Sequence, residues 1–138
     1  MLLTRAASFI ATCPDNIIIP EGNVALAKII DFGIAKSTRP GTFSVIAGGF
    51  AGKYNYASPE QLGMFGGEVT AKTDIYSFGI VLAECLTGQS LEMGRSEFDA
   101  IEKRRAVPDL SALDSRLRPL IALMLQPDPR IGRSPWLL

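Results

Sequence analysis

Ile29-Ile30-Asp31-Phe32-Gly33 ends an apolar stretch and is followed, after residues 34–57, by Ser58-Pro59-Glu60. Ahead of it, Ile17-Ile18-Ile19 and Val24 to Ile30 flank Pro20-Glu21-Gly22-Asn23. Two runs rich in aliphatic residues around a turn-forming cluster predict a β-hairpin. Pro14-Asp15-Asn16 opens this hairpin and Asp31 closes it. By spacing alone, Asn16 and Asp31 are turn residues, the commonest role for these types at hairpin ends. The stretch from Ile34 to Ala57 carries Ser37, Thr38, Thr42 and Ser44 among Pro40, Gly41, Gly48 and Gly49, a loop composition.

Downstream, Lys72-Thr73-Asp74-Ile75-Tyr76-Ser77-Phe78-Gly79 and the run Ile80 to Leu86 predict a long helix, with apolar residues on all faces and therefore buried. The run contains Glu84 and falls short of the roughly 20 apolar residues of a membrane span. A shorter amphipathic helix begins near Ser96, Glu97 and Asp99 and ends on Lys103-Arg104-Arg105. Cations there complement the helix dipole, so these three read as solvated charges. Leu117, Leu120, Ile121, Met124 and Leu125 recur at helical spacing ahead of Asp128-Pro129-Arg130-Ile131-Gly132-Arg133.

With 138 residues, 47% hydrophobic and 20% charged, the chain can bury one core and reads as one domain. Zero net charge gives no steering toward nucleic acid or an anionic membrane. Cys13 and Cys85 form neither a metal spacing nor a disulfide framework. Reduced thiols and a cytoplasmic location are the expectation.

Taken together, the Asp31-Phe32-Gly33 and Ser58-Pro59-Glu60 bracket, the hairpin, the long helix and the Asp-Pro-x-x-Arg-like end resemble a protein kinase over roughly Cys13 to Arg133. The Ser58-Pro59-Glu60-Gln61 form is similar to bacterial-type serine/threonine kinases. The resemblance implies ATP and Mg2+ as cofactors, with Asn16 and Asp31 as the metal ligands and Ile18 as the floor under the adenine. One amide and one carboxylate are hard oxygen donors that suit magnesium. It also implies that Phe32 stacks with Phe9 beside Gly33, that Gly52 to Gln61 ends the activation loop and forms the seat for the residue after the phosphoacceptor, and that Asp74 bonds the catalytic-loop backbone. Gly79 lets neighbouring helices close, and Glu60, next to Pro59, pairs with Arg133, for which Arg130 is the competitor.

The same resemblance exposes departures. Ala11 stands where the catalytic Asp is implied, Ile10 where an Arg is implied, and Cys13 where a Lys is implied. Lys53 replaces a Thr that would contact that Asp. There is no histidine to support a shifted register. Loss of a general base costs about two to four orders of magnitude in rate. Fifteen residues precede Asn16, too few for a Gly-rich loop, a strand lysine and its glutamate partner.

The expected fold is therefore mainly α with a small β-hairpin, a kinase-like C-terminal lobe with the N-lobe absent. One partial domain, 1–138, divides into an atypical N-terminus (1–12), a catalytic-loop remnant with the Asp-Phe-Gly hairpin (13–33), an activation segment (34–60) and a helical subdomain (61–138). The expected function is that of a serine/threonine kinase fragment inactive by itself. The alternatives are a pseudokinase-like binding module, or a C-lobe completed by an N-lobe supplied in trans. Expected partners are a protein substrate or a protein held on the helical face, with no nucleic acid and no membrane. The hairpin's apolar surface is expected to be exposed, a mark of a partner site.

Overall fold

The computed structural model describes residues 13–30 and 54–133. Among them, three helices and one two-stranded antiparallel sheet form the fold. Strand β1 (Ile17–Ile18) pairs with β2 (Lys28–Ile29) in the register Ile17 to Ile29 and Ile18 to Lys28. The expected hairpin is present, but its second arm is shorter than the sequence suggested. Val24–Leu26 is a 3-10 turn, because the Asn23 side chain accepts a hydrogen bond from Ala25 N at 3.0 Å and bends the chain before it can extend. Glu21, at φ 53°, and Gly22, at φ 72°, form the tip.

Helix α1 (Ala71–Thr87) begins at a reciprocal cap. The Thr70 hydroxyl accepts from Lys72 N, and the Thr73 hydroxyl accepts from Thr70 N, both at 3.2 Å. Gly88, left-handed at φ 69°, ends the helix. Tyr76, Ile80 and Ala83 face Ile121, Met124 and Leu125 of the C-terminal region, with Met93, Leu110 and Leu113 closing the core. Burying a side chain such as Ile80 contributes about 1.5–3 kcal/mol. The buried positions of α1 run from Thr73 to Ala83, so the expectation of a buried helix holds for its middle and not for its ends, where Ala71 is exposed at the start. At its far end Cys85 is exposed and Leu86 is 51% exposed.

Helix α2 (Glu97–Lys103) is capped by Ser96, whose hydroxyl accepts from Asp99 N at 3.3 Å. Helix α3 (Arg118–Met124) starts with a proline in its first turn and crosses α1 at Gly79. A Cβ on Gly79 would lie 3.0 Å from Met124 Cβ and from Leu125 Cδ2, so a bare backbone is what allows this approach.

One core atom stands out. The Tyr76 hydroxyl is buried and has no hydrogen-bond partner among the described residues, and burial pushes its pKa up to about 12. Tyr76→Phe is therefore expected to leave stability unchanged or raise it by about 1 kcal/mol, because removing an unpaired buried hydroxyl removes its desolvation penalty. A chemical-denaturation midpoint that fell instead would show that the hydroxyl has a partner.

Candidate functional site

Two polar constructions hold the segment around Ser58-Pro59-Glu60. The first is built on Glu60, in the 3-10 turn Glu60–Leu62 directly after Pro59. Its carboxylate is fully buried and accepts from Arg133 Nη1 at 2.8 and 2.9 Å, one contact to each oxygen, and from the Thr73 hydroxyl at 2.9 Å. The guanidinium does not meet the carboxylate as a two-nitrogen fork. Its Nε donates to Gln126 O at 2.8 Å and its Nη2 to Pro127 O, while the group lies 4.7 Å over the Tyr76 ring. The pair thus ties Ser58-Pro59-Glu60 to the start of α1 and to the loop after α3. Arg130, the competitor, lies at the surface and forks onto Asp128, whose carboxyl it holds down at about 2.

The second construction surrounds Arg104, which the sequence placed among solvated charges. Lys103 and Arg105 are exposed, but Arg104 is 0% exposed. Its guanidinium donates to Ala57 O at 2.5 Å, Tyr54 O at 2.6 Å, Asn55 O at 3.1 Å and Ala100 O at 3.1 Å, and also to Met93 O. Burial lowers its pKa. Arg104 stands one helical turn after Ala100, the only buried residue within α2, and so lies on the same, buried side of that helix.

Nearby, Glu84 on α1 collects the Tyr56 hydroxyl at 2.8 Å, Asn55 Nδ2 at 3.3 Å, the Ser90 hydroxyl at 3.0 Å and Leu91 N at 3.1 Å. Burial first, and then the hydrogen bond to Glu84, push the Tyr56 phenol well above its ordinary range. Asn55 Oδ1 in turn accepts from Met93 N at 2.5 Å. From the sequence, Glu84 had stood out only as an obstacle to membrane insertion.

At the hairpin, Asn16 is buried, and its carbonyl accepts from Ile30 N at 2.7 Å. That bond places the residue before Asp31 beside Asn16. Asp31, Phe32 and Gly33 lie outside the described residues, as do Phe9, Ile10, Ala11 and Lys53. Ile18 is 47% exposed on β1, and Ile19, Val24, Leu26, Ile29 and Ile30 are exposed around it. Asp74 is half-buried in the first turn of α1. Among the described residues, no three metal-ligating side chains stand together, and no helix is long and apolar enough to cross a membrane.

Residues 13–134 match the family model described as protein kinase domain, and the chain belongs to that family. Among curated proteins it is similar to the probable serine/threonine-protein kinase PBL10 of Arabidopsis thaliana, 38% identical over 96 residues, which are 70% of this chain and 20% of that protein. It also resembles the receptor-like kinase TMK2 of Arabidopsis thaliana, 42% identical over 85 residues (61% of this chain, 9% of the relative). A third relative is the receptor-like cytoplasmic kinase 176 of Oryza sativa subsp. japonica, 46% identical over 63 residues (46% of this chain, 15% of the relative). The chain therefore spans one fifth or less of the length of these relatives. All three are plant proteins, which lends no support to the bacterial-type form read from Ser58-Pro59-Glu60-Gln61.

Proposed function

We propose that this chain forms the helical part of a serine/threonine protein kinase domain and does not transfer phosphate by itself. The observation that carries the kinase reading is the buried Glu60–Arg133 pair, which fastens the segment around Ser58-Pro59-Glu60 to the helical core. The serine/threonine class is supported by the names of relatives such as PBL10. The inert reading rests on Ala11, whose methyl group can neither accept a proton nor orient a hydroxyl.

The donor set at the hairpin suits magnesium. Asn16 offers an amide oxygen and Asp31 a carboxylate, the hard ligands this ion takes while keeping several waters. Magnesium ATP, when bound, supplies the phosphoryl group of the family's reaction. We place the chain in the cytoplasm, with a protein substrate or partner on the helical face.

The exposed apolar hairpin favours a second reading, a noncatalytic module or a lobe that is completed by another polypeptide over Ile18, Ile29 and their neighbours. A thermal melt of the purified chain with and without magnesium and ATP tests the nucleotide site. At a hundredfold excess over Kd, ligand binding stabilises by about 2.7 kcal/mol. The expected result is a shift that Asp31→Ala abolishes, with no phosphate incorporated into casein. Incorporation that Asp31→Ala removes would overturn the inert reading, while a cooperative melt with no shift would leave a nucleotide-blind binding module.

A further inference from the structure

We infer that Arg104 is a positioning residue that imposes the shape of residues 54–57, the segment leading into Ser58-Pro59-Glu60. The segment's described internal backbone bond is a long one, from Ala57 N to Tyr54 O at 3.4 Å. Each of its four carbonyls instead accepts from a side chain on another element. Arg104 takes those of Tyr54, Asn55 and Ala57, and the Ser77 hydroxyl takes that of Tyr56 at 2.8 Å. Buried carbonyls need partners, and here one guanidinium supplies most of them.

The planar fork explains the residue type. Arg104 reaches three separate pieces of backbone at once, namely the segment, Met93 and Ala100. A lysine ammonium has three donors on one atom and cannot span them. The hydrogen bonds of this guanidinium to the described residues end on backbone carbonyls, so oriented peptide dipoles solvate its charge where water cannot. Stability alone does not account for such a costly burial, since apolar replacements of buried ions are often neutral or stabilising. The return is geometric: α2 and the segment move as one body. Under the proposed kinase function that segment seats a protein substrate, so Arg104 sets the shape of the substrate-facing backbone; this functional meaning rests on the kinase reading.

Amide hydrogen exchange on the purified chain tests the clamp without requiring catalysis. In Arg104→Met the cation leaves together with its charge, and the freed carbonyls regain water when the segment opens. Amides of Ala57, Ser58 and Met93 are expected to exchange about tenfold faster, while the buried turns of α1 and α3 keep their protection. Arg104→Lys, which keeps the charge and loses the fork, is expected to show the same local pattern. Parental exchange at residues 57 and 58 in Arg104→Met, or protection lost equally across α1 and α3, would overturn the inference. If Arg104→Met gives no cooperative melt, the Arg104→Lys pattern decides by the same criteria. The exchange pattern is independent of the nucleotide melt, so a chain that binds no ATP can still carry the clamp.

Discussion

Glu60→Gln is expected to destabilise the chain by about 3–5 kcal/mol, the usual result of removing one partner from a fully buried ion pair. The reason lies in what stays behind. Arg133 keeps its bonds to Gln126 O and Pro127 O and its place over Tyr76, so the guanidinium remains buried after its counter-charge has gone. An amide offers one acceptor oxygen in place of two, and it leaves an NH2 group against Arg133 Nη1, donor facing donor. Arg133→Met is expected to cost at least as much. It strands the Glu60 carboxylate with only the Thr73 hydroxyl among its described partners, and it frees the two carbonyls that shape the loop after α3. The double variant Glu60→Gln with Arg133→Met should be less destabilised than the two single losses summed, because the charge has then left on both sides. Urea denaturation of the four chains gives the cycle. A Glu60→Gln chain within about 1 kcal/mol of the parent would mean that the pair is solvated and contributes as little as a surface ion pair. Since domains of this size are stable by only about 5–15 kcal/mol, the expected loss is a large fraction of the whole.

What could be read from the sequence divides along a physical line. Periodicity and turn chemistry are local, and they placed the hairpin, α1 and α3 close to their observed bounds, Ala71–Thr87 and Arg118–Met124 for the two helices. The overextended second strand had a local cause too, the Asn23 cap, which competes with strand propensity over three residues. Glu60 and Arg133 are 73 residues apart, so no local rule pairs them, and only the resemblance to kinases put them together. Arg104 was misread for the opposite reason. Its local setting, a cation at the end of a short helix, favours solvent, and its burial depends on carbonyls contributed by Tyr54, Asn55, Ala57 and Met93. The same holds for Glu84, whose four partners come from two stretches flanking its own helix in the fold. Asp31, which the resemblance implies as a metal ligand, and Ala11, which it implies at the position of the catalytic Asp, lie outside the described residues.

Gly94→Ala is the second large effect, expected at about 2–4 kcal/mol from two sources acting together. Gly94 has φ 115°, a backbone conformation that L side chains rarely adopt. A Cβ there would also lie 2.6 Å from both N and Cα of Ala100. Those atoms are backbone near the middle of α2, so the contact cannot be relieved by swinging a flexible side chain. Gly88→Ala is the matched control. Gly88 is also left-handed, at φ 69°, but has nothing within 4 Å of its added Cβ, so that substitution reports conformational strain alone, about 1–2 kcal/mol. If Gly94→Ala costs no more than Gly88→Ala in the same urea titration, the close approach of α2 to residues 93–94 is wrong. The excess cost has a further consequence. Pushing α2 away from Gly94 moves Ala100 and Met93 apart, and these are two of the anchors of the Arg104 guanidinium. Gly94→Ala should therefore also loosen residues 54–57, and faster exchange at Ala57 and Ser58 in a chain that keeps Arg104 would show that α2 and the segment before Ser58 are held as one unit.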